Sequence, residues 1–290
     1  MSNFKLWSVE TEKKFFVETL KNFASPEKLF YKFGEEYFAY IKKGQKNNGQ
    51  TLQSRNSLIG QFTEKWCKDL LNPIAKKLNL YAVNNVVCKE IGLTKRSNAD
   101  LAFCTTDSSV QVPQNIKIIF EIKMSIISNY KYSPQNNILE FIGDYKSHKG
   151  TPSLLRSDSM LKAIGKSINI RVYNKFSTKI PIIILGNSPI NKSYENKVDF
   201  LKKSGVIQGF LSLYPNPTKS EFIKNTKEKG FQTIFSVSEL HSILCELLEN
   251  DMNYFSSMIS KQELGKIISL ANQEKSEIEK AEKFLSLIRN

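Results

Sequence analysis

Histidine and cysteine are scarce in this chain of 290 residues, which has two histidines and four cysteines. The cysteines lie far apart and form no Cys-x-x-Cys pair, so neither a zinc site nor a disulfide framework is expected. His148 and His241 are the only histidines, which argues against mechanisms that pair one histidine base with a second histidine.

Long hydrophobic runs are also missing from the sequence. No apolar segment approaches the ~18–20 residues that a membrane span requires. The N-terminal segment, MSNFKLWSVETEKK, lacks the basic-then-apolar pattern of a secretory signal. We therefore expect a cytoplasmic protein that is not attached to a membrane.

Positive charge is abundant: 42 Lys and Arg face 28 Asp and Glu, which gives a formal net charge of +14. Such an excess is compatible with a polyanionic partner, although a lysine-rich composition alone can also produce it. Between Lys117 and Lys179, eleven basic residues face four acidic ones, so half of the excess lies in this segment. The chain is long enough for one large domain or two modest ones.

The hydrophobic pattern predicts an α/β chain with a mixed sheet and with helices at both termini. Residues 9–42 read as two helices, the second with an aromatic face of Phe30, Phe33, Tyr37 and Tyr40. The predicted elements that follow are a helix Ser54–Leu78 kinked at Pro73, strands Tyr81–Ile91, Ala99–Cys104 and Ile116–Met124, a loop to Leu154, helix Ser157–Val172, strand Ile180–Leu185, helix Tyr194–Ser204, strand Gly209–Tyr214, helix Lys219–Lys229, strand Phe231–Ser236, helix Ser238–Asn250 and a helical tail Lys261–Asn290.

Three charged residues stand at the ends of two neighbouring predicted strands that are otherwise largely apolar. Asp100 begins one strand, and Glu121 and Lys123 end the next. Residues two apart in a strand point to the same face, so Glu121 and Lys123 emerge side by side. Because a lone buried carboxylate would cost several kcal/mol, two carboxylates beside an ammonium favour a site for a hard divalent cation such as Mg²⁺.

Asp100 followed by Glu121-x-Lys123 resembles the motif of the PD-(D/E)XK nuclease superfamily, and the size and elaborated termini most resemble a type II restriction endonuclease. The resemblance covers residues 54–190, and Ala99 stands where the motif name has proline. It implies a restriction-endonuclease-like core with a central mixed sheet flanked by helices. It further implies that Asp100, Glu121 and the Ile122 carbonyl bind Mg²⁺, and that Lys123 activates the attacking water.

Glu64 is a further candidate, because it lies on the helix Ser54–Leu78 opposite the apolar stripe that contains Phe62 and Trp66. Many members of the superfamily place a glutamate from this helix beside the metal site, and an ordinary exposed glutamate is the alternative. Glu90, at the end of the first strand, is a weaker candidate for the same role.

Basic residues at and within the helix Ser157–Val172 are expected to contact DNA phosphates, namely Arg156, Lys162, Lys166 and Arg171. Such contacts position a duplex but carry no sequence information. The candidates for loops that read bases are the polar segments Lys42–Asn56, Ser128–Ser153 and Tyr214–Lys219.

The resemblance implies a single catalytic domain over 1–290, with an N-terminal helical extension (1–53), a nuclease core (54–190) and an α/β and helical extension (191–290). It implies Mg²⁺-dependent, sequence-specific cleavage of double-stranded DNA by a homodimer, and a companion DNA methyltransferase that acts in trans. Two alternatives stay open: a repair or recombination nuclease on the same fold, and a non-catalytic nucleic-acid-binding protein.

Overall fold

The computed structural model describes residues 5–44, 52–249 and 261–289. Its helices are α1 (Val9–Asn22), α2 (Pro26–Leu29), α3 (Gln53–Lys77), α4 (Ser157–Tyr173), α5 (Glu195–Lys203), α6 (Val237–Glu249), α7 (Lys261–Ala271) and α8 (Glu277–Arg289). Its strands are β1 (Tyr31–Phe33), β2 (Glu36–Phe38), β3 (Tyr81–Val86), β4 (Ala99–Cys104), β5 (Ile116–Lys123), β6 (Asn129–Ser133), β7 (Ile138–Gly143), β8 (Ile182–Gly186), β9 (Gly209–Ser212) and β10 (Phe231–Thr233).

A mixed sheet of six strands, in the order β10-β9-β8-β5-β4-β3, forms the centre of the fold. The pairs β3–β4 and β4–β5 are antiparallel, and β5–β8, β8–β9 and β9–β10 are parallel. Parallel neighbours require a crossover connection, and α4 lies in the connection between β5 and β8. The predicted α/β class, with a mixed sheet flanked by helices, is confirmed.

Different helices cover the two faces of this sheet. On one face, Phe120 and Ile122 of β5 share a buried cluster with Cys67 of α3 and with residues of α6. On the other face, Ile119 shares a buried cluster with Ala163 of α4 and with residues of α5. Side chains alternate along a strand, so the odd-numbered residues at the end of β5 face the α4 side.

A second, antiparallel sheet has the order β1-β2-β6-β7, and the sequence prediction missed it. The aromatic segment predicted as a second N-terminal helix forms the β1–β2 hairpin, which turns at Gly34 with φ of +60°. The segment predicted as a loop before Leu154 contains the β6–β7 hairpin, which turns through Asn137 with φ of +52°. Aromatic residues suit a strand as well as a helix, so their spacing alone did not decide between the two.

The predicted helix Lys219–Lys229 is also wrong. This segment is extended beside β10, where the Thr233 amide donates to the Lys224 carbonyl over 2.7 Å. Thr226 donates a hydrogen bond to Asp199 of α5 over 2.5 Å, which ties the segment to that helix. These tertiary contacts outweigh the helix propensity of a lysine-rich segment.

α3 begins one residue before the predicted start at Ser54, with Leu52 at the N-cap position. Pro73 is accommodated within α3. Residues 45–51 of the predicted loop Lys42–Asn56 lie outside the described residues, as do residues 1–4, 250–260 and 290. No helix in the described part of the chain is long and apolar enough to cross a membrane.

Candidate active site

Asp100 and Glu121 are neighbours across the β4–β5 pair. The register joins Leu101 to Phe120, and one step further it brings Asp100 beside Glu121. Here the Ile122 amide donates a hydrogen bond to Asp100 Oδ2 over 2.7 Å. The Asp100 side chain therefore takes the place of the strand carbonyl that would otherwise accept this bond. This hydrogen bond fixes the Asp100 carboxylate against the end of β5.

Two lysines neutralise this pair of carboxylates. Lys123 Nζ lies 2.5 Å from Glu121 Oε1 and 3.4 Å from the Ile122 carbonyl oxygen. Lys166 Nζ forms ion pairs with Glu121 Oε2 and with Asp100 Oδ1, the latter at 3.3 Å. We call Asp100, Glu121, Lys123 and Lys166 the charge cluster.

Lys166 enters the charge cluster because α4 covers the face of the sheet to which the carboxylates point. On α4, the residues buried against the sheet include Ala163, Ser167 and Ile170. Lys166 is three residues from Ala163 and four from Ile170, so it lies on the same helical stripe. Its side chain is 19% exposed, and sequence reasoning placed it on the protein surface instead.

The segment after β5 is held in place by residues that sequence reasoning did not identify. Ser153 Oγ donates to the Lys123 carbonyl over 2.5 Å and accepts from the Asn187 amide over 3.1 Å. The Asn187 side chain then accepts from the Ser125 amide and donates to the Ser125 carbonyl, over 3.1 and 2.7 Å. These contacts continue the β5–β8 pairing beyond the strand ends and fix the backbone of Lys123.

The electrostatic environment of Glu121 is that of a buried acid among charges. Burial raises the pKa of Glu121, Asp100 raises it further, and Lys123 and Lys166 act in the opposite direction. Burial alone would lower the pKa of Lys166, but Glu121 and Asp100 outweigh it and raise that pKa.

Glu64 is half-buried on α3 and interacts electrostatically with the charge cluster. Burial raises the pKa of the Glu64 carboxyl, and Asp100 contributes in the same direction. Glu90 lies exposed in the turn Lys89–Ile91, where its carboxylate accepts a hydrogen bond from Cys88 Sγ over 3.4 Å. Of the two candidates, Glu64 is the one that interacts electrostatically with the charge cluster.

The oxygen atoms of the charge cluster fit a hard divalent cation. Asp100 Oδ1 and Glu121 Oε2 both face one point, which the Lys166 ammonium occupies, and the Ile122 carbonyl oxygen lies beside Lys123. In the described part of the chain, no three His, Cys, Asp or Glu side chains gather as a metal-binding group. The protein would therefore supply two carboxylates, which matches Mg²⁺ because it usually retains several waters.

A cavity of about 590 Å³ opens beside the end of β5. Its described lining contains five basic residues and one acidic residue, namely Arg55, Lys123, Lys149, Arg156, Lys162 and Asp158. The N-termini of α3 and α4 border it, and their N-cap residues, Leu52 and Arg156, have no acceptor group with which to cap a helix. Uncapped helix N-termini and cations together favour an anion such as a phosphate.

The other predicted phosphate contacts differ in their positions. Arg156 and Lys162 are 57% and 70% exposed, and both pair with Asp158, at 3.4 and 3.1 Å. Arg171 is buried instead, where it donates to the Val206 carbonyl and to the Gln208 side chain. The prediction of a phosphate contact is therefore wrong for Arg171, because this cation holds the fold together.

His148 lies in the segment predicted as a loop before Leu154, and its side chain is buried. Its ring stacks on Tyr40 with centroids 4.0 Å apart, and Nε2 lies 2.9 Å from the Ile127 carbonyl oxygen. Arg55 lies over the Tyr40 ring as well, at 5.0 Å. This stack fixes the wall of the cavity that Lys149 and Gly150 form.

Comparison of the chain with protein-family models finds no matching family, and comparisons with curated proteins and with solved structures find no match either.

Proposed function

We propose that this protein is a Mg²⁺-dependent endonuclease of the type II restriction class, which hydrolyses phosphodiester bonds in double-stranded DNA at a specific sequence. The observation that carries the proposal is the charge cluster: two carboxylates and Lys123 meet at the ends of adjacent strands, beside a cationic cavity. Among the elements of the six-stranded sheet and its covering helices, the order from α3 to β8 is helix, three strands, helix, strand, with the β6–β7 hairpin of the second sheet inserted before α4. This order supports the resemblance to the PD-(D/E)XK core.

The residues of the charge cluster have separate roles in the proposed hydrolysis. Asp100 and Glu121, with the Ile122 carbonyl, would hold the cation. A bound Mg²⁺ would supply a Lewis acid that polarises the scissile phosphate. Lys123 borders the cavity, where its ammonium orients the attacking water and stabilises the negative charge that builds on the phosphate. Glu64 would add negative charge near the cation.

The cationic cavity supports DNA as the substrate. Lys149, Arg156 and Lys162 line it beside Lys123, so a bound sugar–phosphate backbone would lead directly to the charge cluster. Phosphate contacts of this kind give affinity that falls with salt and do not read bases.

The proposal includes a homodimer and a companion methyltransferase. Two-fold symmetric DNA sites are read by two-fold symmetric proteins, so we expect a dimer on DNA. A DNA methyltransferase that acts in trans would protect the host's own sites. Native mass spectrometry of the protein with a cognate duplex tests the dimer.

Digestion of unmethylated phage DNA with Mg²⁺ tests the proposed activity. We expect discrete fragments from the wild type, a loss of about 10³-fold or more in Asp100→Asn, and a loss of about 10²-fold or more in Lys123→Met. Lys117→Met is the matched control, because Lys117 lies at the opposite end of β5, where it donates to the Gln114 carbonyl. This control should cut like the wild type.

Other outcomes would favour the two alternatives. A smear, or cleavage confined to flaps and junctions, would indicate a repair or recombination nuclease. DNA binding without cleavage at any salt concentration would indicate a non-catalytic nucleic-acid-binding protein. Undiminished cleavage by both Asp100→Asn and Lys123→Met would refute the assignment of the site.

A further inference from the structure

The carboxylate oxygens of the charge cluster have separate partners. Asp100 Oδ2 accepts the Ile122 amide at 2.7 Å, and Glu121 Oε1 pairs with Lys123 at 2.5 Å. One oxygen of each carboxylate remains, Asp100 Oδ1 and Glu121 Oε2, and both pair with Lys166 Nζ. The Lys166 ammonium thus bridges the two oxygens that a divalent cation would have to bridge.

Lys166 differs from the other basic residues near the site in how it is held. Lys123 lies at the end of β5, where Ser153 donates a hydrogen bond to its backbone carbonyl, and Lys162 pairs with Asp158 at the protein surface. Among the described residues, the Lys166 ammonium pairs with these two carboxylates alone. Its four-carbon stem starts on α4, the helix whose first turns border the cationic cavity.

An ammonium and a divalent cation cannot share the point between Asp100 and Glu121. When a divalent cation binds there, like-charge repulsion drives the Lys166 ammonium away from the carboxylates. Lys162, one helical turn earlier on α4, lines the cavity. A phosphate bound in the cavity would offer the displaced Lys166 ammonium a new partner along this side of α4.

We propose that Lys166 is an exchangeable occupant of the cation site: its ammonium bridges Asp100 and Glu121 until a divalent cation displaces it, and it then binds the phosphate of the DNA strand. The second half of this inference rests on the proposed endonuclease function, and the first half does not. Lys166 thereby keeps the free protein from holding a cation tightly and becomes a catalytic residue once DNA and cation are bound.

Mn²⁺ binding to the DNA-free protein tests the exchange, with free Mn²⁺ measured by electron paramagnetic resonance at pH 8. Lys166→Met removes the competing charge and should tighten Mn²⁺ binding by about 10-fold. Lys166→Arg keeps the charge and should bind Mn²⁺ nearly as the wild type does. Lys162→Met is the matched control on the same helix, and its exposed charge should have little effect. Thermal melting verifies that each variant is folded.

The Mg²⁺ dependence of DNA cleavage tests the second half. In Lys166→Met, half-maximal cleavage should need less Mg²⁺, while the maximal rate falls by about 10-fold or more because a phosphate ligand is lost. A merely structural role for Lys166 would not lower the Mg²⁺ requirement and the maximal rate together.

Unchanged or weaker Mn²⁺ binding in Lys166→Met would overturn the exchange, as would failure of every variant to bind Mn²⁺. A full maximal rate in Lys166→Met would overturn the phosphate contact. A different pattern would count against the endonuclease function alone. In it, the protein cuts no DNA, Asp100→Asn abolishes Mn²⁺ binding, and Lys166→Met tightens it. The exchange would then stand without the proposed function.

Discussion

The carboxylate of Glu12 is fully buried and accepts four hydrogen bonds, whereas that of Glu121 meets two lysine ammonium groups. At Glu12, Oε1 accepts from Trp7 Nε1 and the Ile127 amide, at 3.1 and 2.6 Å. Oε2 accepts from the Ser128 amide and the Tyr130 hydroxyl, at 3.1 and 2.9 Å. All four donors belong to the backbone or to packed side chains, so they cannot leave without disrupting the fold.

The charge cluster is built from groups that can exchange partners. Its carboxylates are opposed by flexible ammonium groups, and Lys123 borders an open cavity. The comparison teaches that burial alone does not distinguish a structural acid from a functional one. What distinguishes them is whether the neutralising groups are fixed in the fold or can move aside for a ligand.

The largest effect is expected from replacing each acid by its amide and measuring the free energy of unfolding in urea. In Glu12→Gln, the new NH₂ group faces N–H and O–H donors, so we expect a loss of about 2–4 kcal/mol. In Asp100→Asn, an oxygen can still accept from the Ile122 amide and Glu121 loses a like-charged neighbour, so we expect a change within about 1 kcal/mol.

Equal destabilisation by the two substitutions would remove the distinction between the sites. Circular dichroism of each variant before unfolding controls for global misfolding, and cleavage assays on the same samples separate a loss of activity from a loss of stability. The comparison predicts that Asp100→Asn is stable and inactive.

Two basic residues of α4 extend the comparison to cations. Arg171 is buried and donates to the Val206 carbonyl and the Gln208 side chain, so Arg171→Met should destabilise the protein by about 2–3 kcal/mol.

Lys162 is exposed on the cavity, so Lys162→Met should leave stability unchanged and weaken DNA binding, with the slope of log K against log salt reduced by about 1. Fluorescence anisotropy with labelled duplex measures this slope, and an unchanged slope would exclude a phosphate contact.

The sequence was sufficient to predict the strands that carry the charge cluster, because alternation and apolar runs are strong on β4 and β5. Their predicted bounds agree with the structure to within one residue at each end. Strand parity also predicted that Glu121 and Lys123 share a face.

The sequence did not reveal that Lys166 joins the charge cluster. A lysine among other lysines on a helix resembles a solvated residue, and only the crossover from β5 to β8 brings α4 over the carboxylates. The spacing of Lys166 from Ala163 and Ile170 was the available signal. The hairpins were missed for a related reason, since local aromatic spacing does not encode which sheet a segment joins.

The smallest effect is expected at His148, which belongs with Glu12 among the groups held by fixed partners. Nδ1 accepts a hydrogen bond from the Gly150 amide at 3.0 Å, so the ring is neutral and Nε2 donates to the Ile127 carbonyl. Burial lowers the pKa of His148 below its usual 6.5, although the bond to Ile127 acts in the opposite direction. The folded protein therefore binds fewer protons than the unfolded chain below pH 6.5, and stability falls as the pH drops from 6.5 towards the folded-state pKa.

Urea unfolding at pH 7.5 and 5.5 measures this dependence, with His148→Gln as the comparison because it does not titrate. The wild type should lose more stability than the variant between the two pH values, and taking the difference cancels the contribution of other titrating groups. Equal losses would mean that His148 accepts a proton in the folded state as easily as in the unfolded chain. The wall of the cavity next to Gly150 would then be adjustable, and His148 would move from the fixed class to the exchangeable one.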